Sequence, residues 1–236
     1  FNWERPIYFA ITVGRNNFMG LENYFQLEGL AYRLVPYESK SFDGQTGTVE
    51  VEKMYDRLVN KFNWGGFSNS NLYFDETNTR MVMNFRNNYS RLAEALHQDG
   101  DNTRAIKTLD KCMNEFPRET VNYSFFAIPI ADVYFKAGAK EKGMNILSEM
   151  SEDFMKEYKF FSNFSDKQGV KQNLSISTQI LASLFRLIQS NNLYQSDYDY
   201  IKENDLFYKE KNNEKTEVSK SEFVINNFVD EFLSLQ

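Results

Sequence analysis

Apolar positions change period along the chain, and the changes mark off its elements. Ile7, Phe9 and Ile11 alternate with Tyr8, Ala10 and Thr12 directly after Pro6, a period of two that predicts a short strand. Gly14 and Gly20 bracket the turn that follows. Leu21, Tyr24, Phe25 and the stretch Leu27 to Leu30 carry helical spacing, loosened at its end by Gly29, and Ala31 to Val35 reads as a second strand stopped by Pro36. Strand, short helix and strand predict a small amino-terminal α/β element over 1–75, completed by a mobile Ser-, Gly-, Asp- and Thr-rich loop from Glu38 to Thr48 and by helical spacing at Val51, Met54, Tyr55, Leu58 and Phe62. Asn63-Trp64-Gly65-Gly66 then breaks the pattern, since paired glycines cost backbone entropy and permit turns that other residues resist.

Met81, Phe85, Tyr89, Leu92 and Leu96 recur every three or four residues and predict a helix from about Thr77 to Gln98. A repeat signal begins on that helix. Tyr89, Leu92, Ala93 and Leu96 supply the packing face of one helix, Gly100 the turn, Ala105, Leu109 and Cys112 the face of a second, and Phe116-Pro117 the stop. Ala93 and Ala105 fall where two antiparallel helices approach most closely, so larger side chains there would force the pair apart. Ala131, Tyr134, Gly138, Gly143, Leu147 and Met150 repeat the order of large, small and turn residues. The offset is 38 residues both from Ala93 to Ala131 and from Gly100 to Gly138, against about 34 in a tetratricopeptide repeat. A further helix from about Leu174 to Ser190 begins a third, signature-poor unit. The expected fold is mainly α: tetratricopeptide-like antiparallel helix pairs, an α-solenoid over 76–192, behind the α/β element.

From 193 to 236 the chain turns aromatic and charged. Lys209 to Lys220 shows no periodicity and reads as an exposed linker. Ser219 and Glu222 have the spacing of a capping box, and Phe223, Phe228, Phe232, Leu233 and Leu235 give the last helix an apolar side able to cover the end of a helical stack.

Composition narrows the function classes. A net charge of -6 argues against a nucleic-acid partner, which needs clustered Lys and Arg. The single histidine, His97, and single cysteine, Cys112, are too few for a zinc site, and Cys112 falls on an inner helix face, so no metal and no cofactor is expected. His97 fits a helix end, and Asp75, Asp99 and Asp101 sit beside helix termini, where capping is the simpler role than acid–base catalysis. No phosphate loop is present, because Gly65-Gly66 lacks the strand, lysine and helix around it. Asn-x-Ser sequons occur at Asn88, Asn122, Asn163 and Asn173. Most of the 22 Phe fall at core spacing; Trp3 and Trp64 instead sit in loops beside polar residues, and with Arg5 they form the candidate ligand-binding set. An opening Phe with no leader pattern after it predicts a piece excised from a longer polypeptide.

The segment Asn2-Trp3-Glu4-Arg5-Pro6-Ile7-Tyr8-Phe9-Ala10, continued by Gly20-Leu21, Tyr24, Gly29-Leu30 and Tyr32-Arg33-Leu34-Val35-Pro36, resembles the region that follows the membrane segments in a bacterial protein family of unknown function related to protein O-mannosyltransferases. The resemblance implies a multispanning glycosyltransferase-like parent whose catalytic carboxylates lie in loops absent from this chain. It also implies attachment to the membrane only through upstream segments and a location on the periplasmic face of the inner membrane. Two readings follow: a non-catalytic domain that holds a protein partner or acceptor protein, or a module for a glycan or lipid-linked sugar near Trp3, Arg5 and Trp64. A free-standing hydrolase would need a paired acid and base that the sequence does not supply.

Overall fold

The computed structural model describes residues 4–41, 43–164, 167, 169–196, 199–203 and 206–235, and 56% of it is helical. Trp3 lies outside the described residues. The chain divides into two compact units, 1–122 and 123–236, each with its own core. Both divisions drawn from the sequence, after 75 and after 192, fall inside a unit. None of the described helices is long and apolar enough to cross a membrane.

The first unit opens with a four-stranded sheet. Strands β1 (Tyr8–Ala10), β2 (Phe25–Leu27), β3 (Ala31–Leu34) and β4 (Thr48–Val49) are ordered β1-β3-β2-β4. β3 is antiparallel to both of its neighbours, and β4 is parallel to β2. The helix expected between the first two strands is absent. Glu22–Tyr24 makes one 3-10 turn, after which the chain enters the sheet, because Phe25 and Leu27 are fully buried around a half-buried Gln26, a period of two hidden inside the apparent helical spacing. Gly29, at φ +102°, then returns the chain as β3, and β2 gains the backbone partners that a lone strand lacks. Strand β2 and two 3-10 turns thus stand where the short helix was expected, and the helical part of the 1–75 element is confined to its later residues, 51–61.

Helix α1 (Val51–Tyr55) widens into a π-type turn over Asp56–Lys61. Helices α2 (Glu76–Gln98) and α3 (Asn102–Glu115) form the first pair. Asp75 and Asp101 act as caps, accepting from the backbone N–H of Asn78 at 2.8 Å and of Arg104 at 2.9 Å. Leu92, Ala93, Leu96, Ala105, Leu109 and Cys112 are all fully buried between or beside these helices, and Pro117 is half-buried after them.

In the second unit α4 (Ile128–Lys136) and α5 (Lys140–Ser162) form the second pair, followed by α6 (Val170–Ser190). Ala131, Leu147 and Met150 are fully buried and Tyr134 nearly so. The two expected turn glycines share one geometry. Gly100 (φ +82°) lets Asp101 N–H reach Leu96 O at 2.8 Å, and Gly138 (φ +89°) lets Ala139 N–H reach Tyr134 O at 2.8 Å, the six-to-one closure that satisfies a helix-terminal carbonyl. Each pair belongs to its own unit.

The expected linker is a meander: β5 (Asp199–Glu203), β6 (Leu206–Lys211) and β7 (Glu214–Glu217), all antiparallel. Asn212 and Asn213 at φ +53° and +66° make a two-residue turn whose twist matches that of the strands it joins. Apolar alternation could not reveal this hairpin because its pairs are charged: Glu210 faces Lys215 and Lys211 faces Glu214. Helix α7 (Lys220–Ser234) starts at Ser219, which accepts from Glu222 N–H at 3.1 Å, and packs on α5. Phe228 and Phe232 are buried there, Phe232 with its ring 5.2 Å from that of Phe185 on α6, whereas Leu233 and Leu235 are exposed.

Candidate functional site

α2 organises the first unit through polar side chains as much as through its apolar stripe. Arg86 is fully buried and donates to the carbonyls of Phe116 (2.8 Å), Val121 (2.7 Å), Asn122 (3.0 Å) and Pro117 (3.4 Å), gathering the chain that leaves α3. Asn88 donates to Gly29 O at 3.2 Å, and the Tyr89 hydroxyl to Leu58 O at 2.7 Å. Burial pushes the Tyr89 hydroxyl pKa far up. Arg91 spans the loop expected to be mobile: it contacts Asp43 Oδ2 at 2.6 Å, Gly47 O at 2.5 Å and Thr46 O at 3.1 Å. Burial alone would raise the Asp43 pKa, but hydrogen bonds from Ser41, Gln45 and Arg91 and the Arg91 charge hold it below the usual carboxylate range.

On this scaffold a charged cluster centred on a buried carboxylate keeps its cations open to solvent. Glu28 sits in the β2–β3 turn with its side chain fully enclosed, the one carboxylate so buried among the described residues. Tyr8 and Arg33, cross-strand partners on β1 and β3, bring the Tyr8 hydroxyl to 2.9 Å from Oε2 and an Arg33 nitrogen to 3.4 Å from Oε1. From α1 and its π-type extension, spaced by one helical turn, Lys53 Nζ reaches Oε1 at 2.9 Å and Arg57 reaches Oε2 at 3.1 Å. Arg57 also donates to the Glu28 carbonyl at 2.6 Å. Burial would raise the Glu28 pKa, yet hydrogen bonds from Lys53 and Tyr8 and the charges of Lys53 and Arg57 outweigh it and hold the carboxyl below its ordinary value. Each carboxylate oxygen is thus doubly engaged and ionised, which leaves no lone base for proton transfer. Three cations surround one anion, and their side chains keep 33%, 43% and 32% of their surface exposed. The three cations outnumber the one carboxylate they surround, on a chain that is negative as a whole.

The residues singled out from sequence fall elsewhere. Trp64 is 7% exposed, enclosed by Phe62, Phe85, Tyr89 and Phe116 at ring separations of 4.8 to 5.8 Å. It is a core residue despite its polar sequence neighbours, because the Gly65-Gly66 turn folds it back onto α2. A sugar stacking on Trp64 would first have to displace those rings. Arg5 is exposed ahead of β1. Cys112 is fully buried, its thiol pKa pushed up to about 12 by burial, as suits core packing rather than a nucleophile. His97 lies in the last turn of α2, with Nδ1 2.7 Å from Asn102 Oδ1. The sequon at Asn88 is closed to glycosylation, since its amide is buried and bonded.

Tyr8, Glu28, Arg33, Lys53 and Arg57 are not gathered by sequence reading, because their meeting depends on β2, whose residues carry helical spacing. The only local signal was the four-residue spacing of Lys53 and Arg57. Comparison with known proteins bears on this same stretch. The profile of a family described as TMEM260-associated domain 2 matches residues 1–53. The match spans the sheet and the first turn of α1, and so takes in Tyr8, Glu28, Arg33 and Lys53 but not Arg57. No curated protein and no solved structure matches the chain.

Proposed function

We propose that this chain is a non-catalytic binding part of a membrane glycosyltransferase-like protein, working at the periplasmic face of a bacterial inner membrane. It docks a protein partner or acceptor protein there, with the Glu28-centred face contributing to the docking surface. The observation that carries this reading is the surplus of two positive charges held around a buried, ionised carboxylate, with Glu28, Arg33 and Lys53, though not Arg57, inside the stretch that the family profile matches. A buried carboxylate of this kind fixes long cationic side chains in place before a partner arrives, which lowers the ordering cost of binding. Within each unit, a helix pair closed by a glycine turn supports a tetratricopeptide-like reading of that pair, a motif suited to holding protein surfaces.

The test is capture of periplasmic proteins on the immobilised chain, compared with the double variant Arg33→Gln/Lys53→Gln, whose folding is checked through its unfolding midpoint. A partner held by the wild type, weakened by salt and lost by the double variant is the expected result. A partner held equally by both proteins refutes a role for this face.

A further inference from the structure

The far end of the α5–α6 hairpin carries an apolar surface that the fold leaves uncovered. Phe160 and Phe164 are 59% and 38% exposed, and Phe161 is half-buried. Phe160 stands 5.4 Å from Phe161 and 5.3 Å from Phe164, centroid to centroid, so the three rings hold one another at the surface. On the facing helix α6, Ile176 is 45% exposed. Phenylalanine is ordinarily a core residue, and three clustered rings at a hairpin end are more than scattered exposure accounts for.

One lysine lies against the rings, and two more are exposed on the helices that carry and follow them. Lys167 places its ammonium 4.8 Å from the centre of the Phe164 ring. Lys156 lies one helical turn before Phe160, and Lys171 lies in the first turn of α6; both are exposed. Among the described residues none of these three lysines makes an ion pair, whereas Lys159 is engaged by Glu231. Aromatic rings bounded by unpaired ammonium groups on flexible stems match the interfacial zone of a bilayer, where rings enter the acyl boundary and lysines extend to the headgroup phosphates. A protein partner buried on the rings would instead have to desolvate or pair each lysine.

We propose that this hairpin end docks on a lipid surface carrying anionic headgroups. The phenylalanines insert at the interface and Lys156, Lys167 and Lys171 meet the phosphates. The proposal is independent of the Glu28 face, which lies in the other unit.

The test is flotation of the full chain with vesicles of phosphatidylcholine alone and with one quarter phosphatidylglycerol. It is paired with the variants Phe160→Ser/Phe164→Ser and Lys167→Gln/Lys171→Gln. These are surface substitutions, and circular dichroism verifies that each variant is folded. Expected is association with the anionic vesicles only, falling with salt. The lysine variant should bind roughly 25-fold more weakly, about fivefold per ammonium, and the phenylalanine variant should bind at background level. Absence of wild-type binding, or binding unchanged in the phenylalanine variant, overturns the proposal. So does a dimer in sedimentation velocity that Phe160→Ser/Phe164→Ser dissolves, which would make a second copy of the chain the occupant.

Discussion

Replacing Arg86 with Met keeps the length and apolar stem of the side chain and removes its donors. Four backbone carbonyls lose a partner, and the two nearest, Val121 O at 2.7 Å and Phe116 O at 2.8 Å, are buried where water cannot replace it. A buried acceptor left unsatisfied costs about 1–3 kcal/mol, so two cost about 2–6, and the relief of no longer burying a charge offsets part of this. The net expectation is a loss of about 3–4 kcal/mol from the first unit. With an unfolding entropy near 2.1 cal/mol/K per residue, a unit of 122 residues changes by about 0.25 kcal/mol per degree, and its Tm falls by roughly 12–16 °C. Trp64 packs on Phe85 and Phe116 beside Arg86, and the sequence of the second unit holds no tryptophan, so thermal unfolding followed by tryptophan fluorescence reads the affected part of the full chain. Arg86→Lys restores charge but not the planar fork that spans several carbonyls, and should recover less than half of the loss. A fall of less than about 1 kcal/mol in Arg86→Met, or full recovery in Arg86→Lys, would show that the loop after α3 does not depend on the guanidinium.

Two further outcomes follow from single contacts. Glu28→Gln should cost about 1–2 kcal/mol at pH 7, the lower end for charge-assisted bonds because its cationic partners are partly solvated. The folded pKa of Glu28 lies below its unfolded value, so the ionised form contributes stability above the unfolded pKa and loses it as pH falls through the folded one. Wild type and variant should therefore converge in acid, and a constant gap in chemical denaturation down to that range would contradict the charge-based account. Gly143→Ala gains about 1 kcal/mol in helix propensity, but its Cβ would stand 2.8 Å from the Phe135 ring, an overpacking that costs about 1–3 kcal/mol. Calorimetry should show a lower Tm that Phe135→Leu partly restores; a higher Tm in Gly143→Ala alone would mean that the α4–α5 crossing yields without cost.

The sequence by itself determined the helices and how they end. Spacings of three and four at Met81 to Leu96 sufficed for α2, and Asp75, Asp101 and Ser219 identified their own helix starts, because capping is settled within four residues. Gly100 and Gly138 were legible for the same reason, since a left-handed turn is a local demand that glycine meets. The tertiary structure decided the two sheets. Phe25 to Leu27 satisfies helical and strand periods alike until β3 is there to pair with it, and β6 and β7 pair through charges that carry no hydrophobic pattern. It also decided which polar residues act. Arg86, Arg91 and Glu28 look like any charged residues in the chain, and their roles come largely from distant partners such as Phe116, Asp43 and Tyr8, which lie 30, 48 and 20 positions away. Trp64 was assigned to a surface from its polar neighbours and is buried by Phe85 and Phe116, because burial depends on what folds over a residue and not on what flanks it.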